Sequence, residues 1–251
     1  MSPVAQQRVR RAERAQRQRR AIARPFAAIA WALALAVALV LLLPYLLAPL
    51  YRVVDPVSTL MLWRWLNGAR VERQFVAIDR MAPSLPGTVI ASEDGRCCWH
   101  RGIDWRELRH RMEEVDDFSE ARGVSTITQQ TAKNLFLWPG RSLMRKALEL
   151  PLSLWINIVL PKRRVLEIYL NIAEWGPSGQ FGAEAASRYA FNKSVRALNP
   201  GEAALLAAVL PNPHRRSAKQ PGPAVRRLAA LYEQRAVKQA ALASCVRPRT
   251  G

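Results

Sequence analysis

Residues 123–136 read GVSTITQQTAKNLF. Ser125 or Thr126 is a suitable N-cap, and a helix from there runs to about Leu137, before Pro139 and Gly140 break it. The polar side of this helix is unusual. It offers hydroxyls from Ser125, Thr126, Thr128 and Thr131, amides from Gln129, Gln130 and Asn134, one cation at Lys133, and no acid. An ordinary amphipathic helix turns charges toward water. Neutral hydrogen-bonding groups followed by a single cation suit a bound molecule better than bulk solvent.

Working outward, Pro, Gly and apolar periodicity divide the chain into helices. We expect helix over 58–79, a Pro/Gly connector at 81–88, a short apolar run at 89–94, and a charged helix over 105–118. An apolar stretch at 142–160 is interrupted by Pro151. Helices follow at 162–173, 183–189 and 200–210, with a glycine-rich loop at 174–182. Alternating strand patterns are scarce, so the fold class is mainly α. The expected order is a basic segment at 1–24, a membrane span at 25–51, a helical domain at 55–213 and a basic helical tail at 214–251.

The chain has 251 residues and a formal net charge of +19. The excess lies at the two ends. Residues 1–24 carry eight arginines against Glu13 alone, and beyond His214 a second run of Arg and Lys faces Glu233 alone. The middle carries no nucleic-acid-binding signature, so nucleic acid is set aside as a partner. Residues 26–51 contain no charge, and 26–43 alone would span about 27 Å as a helix, close to the hydrocarbon thickness of a bilayer. The arginines before this run place the N-terminus in the cytoplasm and the domain outside it. Trp31, Tyr45 and Tyr51 suit interfacial anchoring. Cys97, Cys98 and Cys245 have no metal-site spacing and read as small buried or half-buried residues.

Three carboxylates stand out. Glu93 follows an apolar run and precedes a glycine turn, with no cation before Arg96, a setting that can raise a carboxyl pKa and suit a general base. Glu149 sits one helical turn from Arg145 and Lys146, and Glu167 one turn from Arg163 and Arg164. Each of these two also reads as a plain surface ion pair. Lys133 and Arg141 have no acidic neighbour. Arg141, Arg145 and Lys146 fall within two turns, a cluster suited to phosphate or diphosphate, or to lipid headgroups.

Five blocks then come in a telling order: EDGRCCWHRG (93–102), GVSTITQQTAKNLF (123–136), RSLMRKALE (141–149), KRRVLEIYLN (162–171) and the alanine-rich stretch 182–213. Together they resemble the successive motifs of glycosyltransferase family 51, the peptidoglycan glycosyltransferases, in their monofunctional biosynthetic form. The resemblance covers roughly residues 60–225. It implies a mainly helical, lysozyme-like domain with a membrane-facing apolar lobe that polymerises lipid II into glycan. Glu93 matches the family's catalytic glutamate and Glu149 its second essential glutamate. Lys133, Arg141, Arg145 and Lys146 match cations associated with the donor diphosphate. Ser125, Thr126, Gln129, Gln130 and Asn134 match the motif lining the cleft. Glu167 and Asn171 match a supporting motif.

The same resemblance implies inversion at the donor carbon, a β-1,4 link and release of undecaprenyl diphosphate. It leaves open a divalent cation, Mg or Mn, at the diphosphate. It places the protein in the cell inner membrane, with lipid II, lipid-linked glycan and membrane lipid as partners. Cell-division proteins or penicillin-binding proteins are the candidate protein partners. No transpeptidase motif, Ser-x-x-Lys or Lys-Thr-Gly, occurs in the chain. Cys97 departs from the pattern, standing where the family has Phe. Two other classes stay in view: a lysozyme-like hydrolase or lytic transglycosylase, and a non-enzymatic scaffold of a cell-wall complex.

Overall fold

The computed structural model describes residues 28–114, 125–140, 142–238 and 240–246. Helix α1, Ala28–Leu50, is the apolar run, with a mean hydropathy of 2.5. The chain forms two units, one up to Leu46 and one from Leu47 onward. The second carries the chemistry.

Helix α2 (Thr59–Leu66) starts at Ser58, whose hydroxyl accepts from the Met61 N–H at 3.2 Å. The single helix expected over 58–79 does not form. Asn67 caps α2, and Gly68, at φ +67°, turns the chain out of it. Glu72–Arg73 (β1) then pairs in parallel with Gln180–Phe181 (β2), and Ile78–Arg80 makes a 3-10 turn. Tertiary pairing overrides local helix propensity here.

Helix α3 (Ser84–Glu93) corrects a second expectation, because residues 84–88 of the connector foreseen at 81–88 are its first half. Pro86 lies in the first turn, where its missing N–H has no intrahelical partner to lose. Leu85, Val89 and Ile90 are fully buried, which sets the helix deep in the core with its C-terminal residue, Glu93, at the core's edge.

Helix α4 is Trp105–Glu114, and α5 is Ile127–Phe136. Helix α6 (Leu143–Val159) runs without a break through Pro151, contrary to the expected interruption. An interior proline costs roughly 3 kcal/mol; burial of the apolar Leu152 and Ile156 just beyond it offsets that cost. Then come α7 (Lys162–Ile172), α8 (Ala183–Phe191), α9 (Pro200–Val209) and α10 (Pro223–Lys238). Gly182 enters α8 at φ +82°, where a side chain would meet the Asn171 backbone carbonyl.

Two packing groups result. Helix α5 lies against α6 and α7, and α3 lies against α9 and α10. Helix α9 is alanine-rich, so α10 docks closely on Ala204 and Ala208 through Val225 and Ala229. The segment expected as a separate basic tail therefore contributes a helix to the same unit as the rest. The two groups meet where α3 ends and α5 begins.

Cys97 and Cys98 are buried and half-buried as expected, Cys245 is exposed, and a bond between two of the three was not foreseen. Cys98 and Cys245 form a disulfide across 147 residues, tying the turn after α3 to the C-terminal 3-10 segment Ala240–Val246. Their separation hid the pair from a reading based on spacing. Cys97 is free and buried.

Candidate active site

Glu93 is the last residue of α3 and is half-buried. Its Oε2 accepts from the Gln130 amide at 2.9 Å. Burial pushes its pKa up, and Asp94 adds to this; Gln130, Lys133 and Arg216 pull the other way. The result is a carboxyl held above the usual range yet surrounded by groups that can receive it as an anion, the balance a general base needs.

The neighbouring Asp94 is buried and structural. Its Oδ2 accepts from the Ile127 N–H at 2.9 Å, at the start of α5, and its Oδ1 meets His100 Nε2 at 2.9 Å. Lys162 Nζ lies 3.4 Å from His100 Nδ1. An ammonium only donates, so Nδ1 accepts and Nε2 carries the proton toward Asp94. Asp94 thus joins α3, α5 and α7 just beside Glu93.

Helix α5 begins with a capping box. The Thr126 hydroxyl accepts from the Gln129 N–H at 3.1 Å, and Gln129 Oε1 accepts from the Thr126 N–H at 3.0 Å. The Thr126 hydroxyl also donates to Gly102 O at 2.6 Å. Gly102, at φ +92°, leaves no room for a side chain, since a Cβ there would lie 2.6 Å from Ser153 O. These bonds define what two residues of the motif do in the fold. Gln129 is buried with its amide oxygen held in the cap, and Thr126, its hydroxyl engaged on both sides, also lines a cavity beside Glu93. Gln130 bonds Glu93 directly. Asn134 is half-buried on α5, and its backbone carbonyl accepts from the Thr59 hydroxyl at 3.1 Å.

The cation cluster forms on α5 and α6. Glu149 is buried and takes both neighbours expected from helical spacing: Lys146 Nζ at 2.5 Å on Oε1 and Arg145 NH1 at 3.0 Å on Oε2. Lys146 also donates to the Ser125 hydroxyl at 3.0 Å. Arg145 is buried with its Nε unpaired. Lys133, facing the same group, is pushed down in pKa by burial, held up by Glu149, and lowered again by Arg145 and Lys146. Arg141 lies outside the described residues. Glu167 and Asn171 do support work: Glu167 Oε2 accepts from the Ile78 N–H, and the Asn171 amide brackets Val76 through both its oxygen and its nitrogen.

Sequence reasoning missed the contribution of the C-terminal region. A cavity of about 310 Å³ in front of Glu93 is lined by Ser92, Arg96, Glu107, Arg111 and Ser125, and by Arg235 from α10. Arg216 acts electrostatically on Glu93, and burial and Glu93 both raise the pKa of Tyr232. The signal for these was the basic composition beyond residue 214, which read as a tail.

The transglycosylase family model matches residues 61–237. Among curated proteins, a biosynthetic peptidoglycan transglycosylase of Nitrobacter hamburgensis is 62% identical over 217 residues, covering 86% of this chain and 96% of that protein. One of Rhodopseudomonas palustris is 62% identical over 209 residues, 83% and 92% of the two chains. A more distant one, of Rhizobium meliloti, is 49% identical over 209 residues, 82% and 88%. With the family match spanning both packing groups and every block around Glu93, the chain belongs to the transglycosylase family.

Proposed function

We propose that this chain polymerises peptidoglycan glycan strands, moving the growing lipid-linked glycan onto lipid II and releasing undecaprenyl diphosphate. The observation that carries the mechanism is Glu93, a carboxyl raised by burial at the edge of a polar cavity, within electrostatic reach of Lys133 from the cation cluster. Glu93 takes the proton of the acceptor's 4-hydroxyl. That oxygen forms the bond to the donor's anomeric carbon as the bond to diphosphate breaks, with inversion and a β-1,4 link. Lys133, Arg145 and Lys146 offset the charge that gathers on the departing diphosphate. Glu149 is a positioning residue in this reading, since both its oxygens hold cations.

A divalent cation fits this side-chain set poorly. The carboxylate in the cation cluster is already doubly occupied, and no group of three or more His, Cys, Asp or Glu side chains able to hold a metal lies among the described residues. The mechanism uses none.

The apolar α1 fits a membrane-anchored enzyme. We infer the cell inner membrane, with the N-terminus inside and the domain outside. The arginines before α1 support that orientation, and so does the Cys98–Cys245 disulfide, which forms in oxidising compartments. Within the second unit, Val53, Leu62, Trp63, Trp65, Leu66 and Met144 are exposed apolar side chains, suited to lipid contact.

The test is purified full-length protein with lipid II in detergent. Polymer should form, and Glu93→Gln should lower its rate by about 10²-fold or more. Shortening of preformed glycan in the absence of lipid II would instead identify a hydrolase, and unchanged activity in Glu93→Gln would remove Glu93 as the base.

A further inference from the structure

We infer that Tyr169 is a positioning residue for the reaction: its hydroxyl pins the Gln130 amide so that the amide N–H, and not its carbonyl, meets Glu93. The inference rests on the reading of Glu93 as the base. Tyr169 OH donates to Gln130 Oε1 at 3.0 Å, and Gln130 Nε2 donates to Glu93 Oε2 at 2.9 Å. The two bonds use opposite ends of one amide.

An amide can be turned end for end. With Oε1 toward Glu93, carbonyl oxygen and carboxylate repel, unless Glu93 is protonated and donates instead. One orientation therefore favours the ionised carboxyl and the other the neutral acid. Tyr169 selects the first by occupying Oε1. Its own hydroxyl stays protonated because burial holds its pKa well above the ordinary phenol value, with Glu93 and Asp94 adding to the effect. The ring itself is fully buried in the core through α7, so the hydroxyl is a fixed point against which the amide is held.

Other groups act on Glu93 without replacing this bond. Asp94 follows it on α3, Lys133 faces it from α5, Arg216 from the segment after α9, and Tyr232 from α10, while Arg235 shares the cavity. Among the described residues, Gln130 is the one hydrogen-bond partner of the Glu93 carboxylate. Losing its orientation should therefore register in the protonation of Glu93 more than in the fold.

The experiment is the pH dependence of kcat/KM for lipid II polymerisation by the full-length protein in detergent. In Tyr169→Phe and in Gln130→Leu the acid limb should move to higher pH by about one unit, the scale of one charge-assisted hydrogen bond. In the double variant the Tyr169→Phe shift should disappear, because the hydroxyl acts through Gln130. A fluorinated tyrosine at 169, a stronger donor of nearly the same size, should move the limb the other way, and it serves also if Phe at this position unfolds the protein. An unmoved limb in Tyr169→Phe and fluorotyrosine proteins, or shifts that add in the double variant, overturns the inference. Loss of rate at every pH equally would show a packing role only. Residual activity of Glu93→Gln separates the two readings. A limb that survives there defeats Glu93 as the base, while a limb that vanishes there but is unmoved in Tyr169→Phe defeats Tyr169 alone.

Discussion

Lys146 and Glu149 are joined by a 2.5 Å hydrogen bond one helical turn apart, and the second Glu149 oxygen is taken by the buried Arg145. A carboxylate so occupied has its main effect through its cations. Removing it leaves Arg145 buried and unpaired, which costs about 3–5 kcal/mol. Glu149→Ala should therefore lower both the melting temperature and the polymerisation rate. Glu149→Gln, which keeps one acceptor, should fold better than Glu149→Ala and still lose rate as the cations drift. Thermal unfolding alongside initial rates checks this. A Glu149→Gln protein as active as wild type would return Glu149 to a structural ion pair.

Lys133 makes the opposite trade. Burial lowers its pKa, so the folded state holds its proton less tightly than the unfolded state does. The charged ammonium thus costs stability at neutral pH, and the cost is relieved only as pH rises through the lowered pKa. Lys133→Met should be at least as stable as wild type at pH 7. Its rate in detergent should fall roughly 30- to 1,000-fold if the cation meets the leaving diphosphate. A rate within about threefold of wild type would assign Lys133 to lipid attraction instead.

Glu93 follows the mirror rule. Its folded pKa lies above the ordinary 4.5, so the folded state binds the proton more tightly. Stability attributable to this group is present below 4.5 and lost as pH rises through the folded value. Glu93→Gln should then melt higher than wild type at pH 7, with the difference closing as pH falls below about 4.5. Melting curves at a series of pH values decide it; a Glu93→Gln protein less stable at pH 7 would contradict the burial argument.

Much of this site was legible because it is local. Helical spacing alone pairs Glu149 with Arg145 and Lys146, and Thr126 with Gln129 three residues later is a capping box that a sequence can announce. What stayed hidden depends on distant chain. Pro86 and Gly87 look like breakers until the core that buries Leu85, Val89 and Ile90 makes them helical. That Gln130 links Tyr169 to Glu93 shows only when the fold brings those two residues to its two ends. Arg235 reads as tail charge until α10 packs on α3 and α9.

The Cys98–Cys245 bond gives a last prediction that joins stability to topology. It closes a loop with a sequence separation of 147 and anchors the turn that follows Glu93 and Asp94. Closing a loop of that length contributes roughly 2–5 kcal/mol, so Cys245→Ser should lower the melting temperature under oxidising conditions and change little under reducing ones. The third thiol supplies an internal control. Burial, with Asp94 beside it, pushes the Cys97 pKa up to about 12, so it stays protonated and unreactive in the folded protein. Exported protein, denatured without reductant, should therefore label at one cysteine, and at three once reduced. A version lacking residues 1–51 and kept in the cytoplasm should label at three without reduction, because that compartment keeps thiols reduced. Three labelled cysteines in the unreduced full-length protein from intact cells would mean that the domain does not reach an oxidising compartment, and the proposed orientation of α1 would fall with the disulfide.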